Sequence, residues 1–215
     1  MIDLWRNYTT KQWSHWWQVR QIDWKKEYQT TWNHPHRTMI TRSLANINFL
    51  SLLEVGCGAG ANLINIVKHL PGKQLGGIDI NPEAIKEAQE MLNGAFLKVS
   101  SVEDIMMSDN STDIVLSDMT LIYFGGKRLD AAIEEIKRVS RHFVFLSEFH
   151  STSWYDRMKL WLTSGLHAHD YQRLLEKHGF YDVSVVKAPA EAWPDGDETQ
   201  RSYATFILAR VPKRK

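Results

Sequence analysis

The chain has 215 residues, 43% of them hydrophobic and 24% charged, enough to bury a substantial core and close to the size of one α/β domain. A formal charge of +1 gives little nonspecific attraction to polyanions, and the lone cysteine, Cys57, rules out an intrachain disulfide or a thiolate metal cluster. The longest apolar runs, such as Phe143-Val144-Phe145-Leu146, fall far short of a bilayer span, and the amino terminus, with Asp3, Trp5 and Arg6, has no signal-peptide core, so a cytoplasmic protein with no membrane segment is expected.

Residues 1–48 stand apart in composition. Six of the nine tryptophans (Trp5, Trp13, Trp16, Trp17, Trp24, Trp32) fall here, and Trp13, Trp16, Trp17 and Trp24 are predicted to share one broad face of a helix. A second helix is predicted from near Pro35 to about Ile47, with Met39, Ile40, Leu44 and Ile47 on its apolar side. Seven basic side chains (Arg6, Lys11, Arg20, Lys25, Lys26, Arg37, Arg42) against three acids (Asp3, Asp23, Glu27) leave a local charge of +4. Such a segment either packs its aromatic face on the core or forms a lid.

The apolar run Leu52-Leu53-Glu54-Val55 then leads through Gly56-Cys57-Gly58-Ala59-Gly60 into a helix from Asn62 that Pro71-Gly72 stops. Glycine tolerates positive φ and puts no Cβ between backbone and ligand, so this turn suits a nucleotide held against free helix N–H groups. Read as Gly56-x-Gly58-x-x-Ala61 it also fits the dinucleotide fingerprint, so the glycines alone leave a dehydrogenase and a methyltransferase both open. Cys57 reads as a small residue filling a tight turn.

Gln74 to Ile80 is the second predicted strand, with Asp79 at its carboxyl end, where a carboxylate can accept from both ribose hydroxyls in either enzyme class. Asn81 caps a helix over Pro82 to Leu92, Ala95 to Ser100 is a third strand, Thr112 to Asp118 a fourth, Lys127 to Val139 a helix, and Phe143 to Leu146 a fifth strand. Ile114-Val115-Leu116 and Phe143 to Leu146 do not alternate with polar residues, as expected of parallel strands covered on both faces. After Phe149 the rhythm changes to a helix from about Asp170 to His178, ended by Gly179, and two strands, Tyr181 to Lys187 and Ser202 to Val211, joined by the turn-rich stretch 189–197. With no repeat and no linker, one α/β domain over 1–215 is expected, a cap in 1–48 and a doubly wound core in 49–215.

The segment Glu54-x-Gly56-x-Gly58-x-Gly60, then Asp79, then Ser101-Val102-Glu103-Asp104, then a fourth strand ending at Asp118, resembles the class I S-adenosylmethionine-dependent methyltransferases over Leu52 to about Asp118. The resemblance implies a mostly parallel, seven-stranded Rossmann-like sheet closed by an antiparallel last strand, with S-adenosylmethionine as cofactor. It implies cofactor contacts from Glu54, Gly56, Cys57, Gly58, Gly60, Asn62, Asp79, Ile80, Val102, Glu103 and Asp118. In that family segments before the first strand commonly cover the cofactor and build the acceptor pocket, which implies Trp17, Trp32, His34, His36 and Arg37, with Tyr123, near the transferred methyl.

In-line displacement from a sulfonium depends mostly on positioning, and a base is needed only for a protonated acceptor. Candidates at strand carboxyl ends are Asp118, Glu148 and His150, with His150 and Asp118 favoured; His15, His167 and His169 offer nothing firmer. Magnesium-dependent relatives of this fold carry an Asp-Asn pair where Glu148-Phe149-His150-Ser151 stands, and His167-x-His169-Asp170 reads as a helix start, so no metal is expected. Interleaved aromatic and basic residues before Leu52 keep a nucleic-acid acceptor open. Against it, Ser117-Asp118-Met119-Thr120 occupies the place of the Asn/Asp-Pro-Pro-aromatic run of amino-directed DNA methyltransferases. A small polar acceptor is the leading reading, an RNA or protein acceptor the second, and a cofactor-binding module without catalysis the third.

Overall fold

The computed structural model describes residues 2–213, with side chains described for 11–213 apart from residue 29; Trp5 lies outside the described side chains. Three helices, α1 (Ile2–Val19), α2 (Trp24–Thr31) and α3 (Pro35–Ala45), precede a Rossmann-like alternation. That alternation runs β1 (Ser51–Val55), α4 (Ala61–His69), β2 (Gln74–Asp79), α5 (Pro82–Met91), β3 (Phe96–Val99), β4 (Thr112–Asp118), α6 (Gly126–Val139) and β5 (Ser140–Phe149). Then come α7 (Trp154–Ser164), α8 (Tyr171–Lys177), β6 (Tyr181–Lys187), α9 (Glu198–Tyr203) and β7 (Ala204–Arg210).

The strands form one sheet in the order β3-β2-β1-β4-β5-β7-β6. β1 to β5 pair in parallel, and β7 inserts antiparallel between β5 and β6. Successive side chains of a strand point to opposite faces. Leu53, Val55, Val115, Val144 and Leu146 accordingly join Ile133 and Ile136 of α6 in one cluster, while Leu52, Ile114, Leu116 and Phe145 join Ile40, Leu63 and Ile85 in the other. Both faces are covered, which is why these strands read as continuous apolar runs. The order of strands reverses between β1 and β4, where open α/β sheets bind ligands beyond the carboxyl ends.

Two sequence expectations are corrected and one element is added. Trp24 does not share a helix with Trp13, Trp16 and Trp17: α1 ends at Val19, and Asp23 opens α2 by accepting the Lys26 N–H at 2.9 Å. Trp24 is instead buried against Ala59 and Ala84, while Trp16 is exposed beneath the Arg20 guanidinium. The start expected for the last strand is helical, because Asp197 and Gln200 form a capping box that holds α9 through Tyr203. Residues 154–164, given no element from sequence, form α7, capped by the Ser153 hydroxyl and ended by Gly165 at φ 71°.

One buried side chain joins the cap to the core at two elements at once. Asn81 Oδ1 accepts the N–H groups of Glu83 and Ala84 and starts α5, while its Nδ2 donates to the carbonyls of Trp17 and Arg20 at 2.7 and 2.9 Å. Its own N–H donates to Asp79 Oδ1 at 2.8 Å, so the end of β2 and the end of α1 meet at one residue. Among the described residues no helix is long and apolar enough to cross a membrane.

Candidate functional site

A cavity of about 290 Å³ opens at the β1/β4 reversal, floored by the turn after β1 and roofed by α1, α2 and α3. The turn has the backbone its sequence demands: Gly56, Gly58 and Gly60 stand at φ 70°, 52° and 83°. A Cβ on Gly56 would lie 2.0 Å from Thr120 Oγ1, and one on Gly58 only 1.8 Å from the Tyr28 hydroxyl oxygen. Side chains from the loop after β4 and from α2 have thus closed onto positions that glycine alone leaves open.

Around this turn lies a network of buried polar groups. Asn62, from the first turn of α4, donates to Glu54 Oε1 at 2.6 Å and to Asp118 Oδ2 at 3.0 Å. Asp118 Oδ2 also faces His36 Nε2 at 3.0 Å and Arg37 NH1 at 3.6 Å, and His36 Nδ1 lies 2.5 Å from His34 Nδ1. Burial works against an ionised Asp118, but the neighbouring His36, Arg37 and the Asn62 amide outweigh it and hold the carboxyl well below its usual range. For Glu54 burial wins and pushes it up to about 8 against the Asn62 hydrogen bond, with Asp118 adding to the rise.

Three oxygens in this network, Glu54 Oε2, Asn62 Oδ1 and Asp118 Oδ1, are buried with no hydrogen-bond partner. A buried polar atom left unpaired costs on the order of 1 to 3 kcal/mol, so these oxygens, on residues that border one cavity, favour a ligand that brings N–H groups to them. An ammonium has three. The residues present therefore fit the amino-acid end of the cofactor that the resemblance implies. At the other end, Asp79 accepts Gly58 N–H on Oδ2 and Asn81 N–H on Oδ1, each at 2.8 Å, beside Ile80 and Val102 in the cavity wall. Burial raises Asp79 while these backbone N–H groups draw it back.

Of the residues singled out from sequence, Glu54, Gly56, Cys57, Gly58, Asn62, Asp79, Ile80, Val102 and Asp118 border the cavity, as do Trp17, His36, Arg37 and Tyr123. Gly60 does not: it precedes α4, and a Cβ there would meet Leu92. Glu103 is turned to the Arg128 guanidinium and Trp32 lies under Lys68 Nζ at 3.6 Å, both away from the cavity wall. His34 stands behind His36. His150 is also outside, its Nδ1 accepting the Tyr171 N–H at 3.2 Å.

Glu148, the other acid of the β5 end, is buried and clamps the loop after β4. Its Oε1 accepts from Ser117 Oγ, Thr120 N and Leu121 N, and its Oε2 from Ile122 N, while burial pushes it up to about 7. Sequence reasoning missed Tyr28, Trp24 and Trp193 in the cavity wall, the last stacked on His36 with ring centroids 4.9 Å apart. The available signal for Trp193 was a large aromatic inside a turn-rich connection.

A family model described as a methyltransferase domain matches residues 52–142. An uncharacterized methyltransferase of Schizosaccharomyces pombe is 26% identical over 123 residues, which cover 50% of this chain and 44% of that protein. A probable phthiotriol/phenolphthiotriol dimycocerosates methyltransferase of Mycobacterium ulcerans is 31% identical over 104 residues, 47% of this chain and 39% of that one. The chain thus matches less than half the length of either curated relative. In fold it is similar to the magnesium protoporphyrin IX methyltransferase of Synechocystis, solved with S-adenosylmethionine bound, at a TM-score of 0.60 and 16% identity over 97% of this chain and 96% of that one.

Proposed function

Given a chain that belongs to the class I S-adenosylmethionine-dependent methyltransferases and takes S-adenosylmethionine as its cofactor, we propose that it transfers the methyl group to an oxygen or nitrogen of a small polar, metabolite- or sugar-like acceptor in the cytoplasm. The observation that carries this reading is the helical cover over the cavity. The cavity lies beneath α1, α2 and α3, so an acceptor must meet the methyl group under this cover, which favours a small molecule over a folded RNA or protein surface.

The bound cofactor supplies a methyl group already activated on a sulfonium. What remains for the chain is to bind, align and exclude water. Asp79, Ile80 and Val102 hold the adenosine end, and Glu54, Asn62 and Asp118 the amino-acid end. Trp17, Tyr123 and Trp193 offer aromatic walls to the acceptor, and Glu148 fixes the loop that carries Tyr123. Asp118, its Oδ2 backed by His36 and its Oδ1 unpaired, is the cavity carboxylate that would take a hydrogen bond from an O–H or N–H acceptor, which favours such acceptors. Residues 1–48 act as the lid of a single domain.

The test is turnover. Release of S-adenosylhomocysteine with fractionated metabolite pools and not with RNA or protein supports the reading. Release with RNA or protein replaces it by a macromolecular acceptor, and cofactor binding without release under any of these conditions replaces it by a binding module.

A further inference from the structure

The helix α7 turns its apolar side chains outward. Leu160 is its buried residue, while Trp154, Tyr155 and Leu162 are 65%, 61% and 69% exposed. With about 3.6 residues per turn, Tyr155 and Leu162 fall on the side of the helix away from Leu160, with Trp154 and the half-buried Met158 beside them. Exposed apolar residues scattered singly are ordinary, but a row of them on one helix face marks an interaction surface.

A second cavity, of about 270 Å³ and sharing no residue with the cofactor cavity, opens between α7 and α8 with Arg157, Arg173 and Lys177 in its wall. Arg157 follows Trp154 by one turn, and its NH1 donates to the carbonyls of Ser151 and Thr152 at 2.9 and 3.2 Å, which fixes the guanidinium without answering its charge. The exposed Arg173 engages Asp170 through its backbone N–H, and its guanidinium has no partner among the described residues. Lys177 is paired with Asp130 at 2.8 Å. Asp170, the acid of the wall, caps α8, and the charge of Asp156 in α7 falls on Tyr203 of α9.

An aromatic face beside unanswered cations calls for a surface that is apolar in one layer and anionic in the next. A bilayer with anionic headgroups is such a surface: Trp and Tyr settle at its acyl boundary, and a helix with one apolar face and flanking Lys or Arg lies in its plane. A second copy paired through the same face would bring the same cations and an Asp170 already engaged in capping.

We propose that α7 and the adjoining cationic cavity form a docking surface for anionic membranes, with Trp154, Tyr155 and Leu162 at the acyl boundary and Arg157 and Arg173 on lipid phosphates. The chain lies on the bilayer and does not span it, in keeping with the absence, among the described residues, of a helix long and apolar enough to cross. This docking is independent of which acceptor is methylated.

Co-flotation of the purified full chain with unilamellar vesicles is the test. Vesicles of phosphatidylcholine and phosphatidylserine at roughly 7:3 are expected to bind it at least about tenfold more tightly than phosphatidylcholine alone, and less tightly as salt rises. Arg173→Glu removes most of that difference, and Trp154→Ser combined with Tyr155→Ser weakens binding to the mixed vesicles by about tenfold or more. Leu162→Ser serves if the double variant fails to fold. Affinity for S-adenosylhomocysteine, measured by calorimetry, stays within about twofold in each variant, since all these side chains are exposed and outside the cofactor cavity.

A wild-type chain that ignores the mixed vesicles overturns the proposal, as does a charge or aromatic variant that binds them as the wild type does. Self-association in sedimentation velocity that Leu162→Ser abolishes also overturns it and assigns the face to a second copy.

Discussion

Glu54 is nearly inaccessible, sits beside an ionised Asp118, and is pushed up to about 8 by burial from an ordinary 4.5. An acid whose folded value is raised contributes stability that is fully present below its unfolded value and is lost as pH rises through the folded one. For Glu54 the window runs from about 4.5 to about 8, and at roughly 1.36 kcal/mol per unit the displacement is worth at most about 5 kcal/mol. Glu54→Gln keeps an oxygen for the Asn62 amide and removes the titration. Urea unfolding of both proteins without cofactor should therefore give similar stabilities near pH 5 and a variant more stable by a few kcal/mol near pH 8. Glu148 and Asp79 are also raised, but both remain in each protein and cancel in the difference. Parallel stability curves across pH 5 to 8 would refute the reasoning.

Binding an ammonium beside Glu54 should lower it again, so S-adenosylhomocysteine binding at pH 7 is expected to release a proton; calorimetry in buffers of different ionisation enthalpy should show this for the wild type and not for Glu54→Gln. Asp79→Ala is expected to weaken cofactor binding by one to two decades, from the loss of a charged partner worth about 1.5 to 3 kcal/mol, and a variant that binds normally would contradict the ribose assignment. Because Asp79 also holds the N–H groups of Gly58 and Asn81, that variant should unfold at lower denaturant too. Amide exchange across residues 11–48 should slow when S-adenosylhomocysteine binds, whereas protection equal to the core strands without ligand would rule out a lid. His150→Ala should leave turnover within about twofold, and a drop of a decade or more would restore His150 as the base.

The glycine turn, Asp79 and the strands of the parallel sheet were legible in the sequence because each is enforced locally. A positive φ requires glycine, a double-sided strand requires an unbroken apolar run, and Asn81-Pro82 announces a helix. What was not legible depends on approach through space. Tyr28 reaches Gly58 across 30 residues of chain, and Trp193 reaches His36 across more than 150, so neither leaves a trace in spacing. The strand-end rule pointed to His150 and Glu148 together, but the packing of α8 took the first and the loop after β4 took the second. α7 did carry a signal, Ser153 three residues before Asp156 and Gly165 after its last turn, which the change of rhythm beyond Phe149 obscured.

The buried amide of Asn81 has a chemical exclusivity that follows from its two faces. Its oxygen serves donors at the head of α5, and its nitrogen serves acceptors at the tail of α1. Aspartate would serve the helix head as well or better, yet set an anion against two carbonyl oxygens; serine or threonine would cap α5 with a side chain too short to reach back to both carbonyls. Glutamine carries the same two faces one carbon further out, where neither registers. Initiation of α5 and one of the attachments of the amino-terminal layer thus share a single side chain that no other of the twenty can replace on both counts.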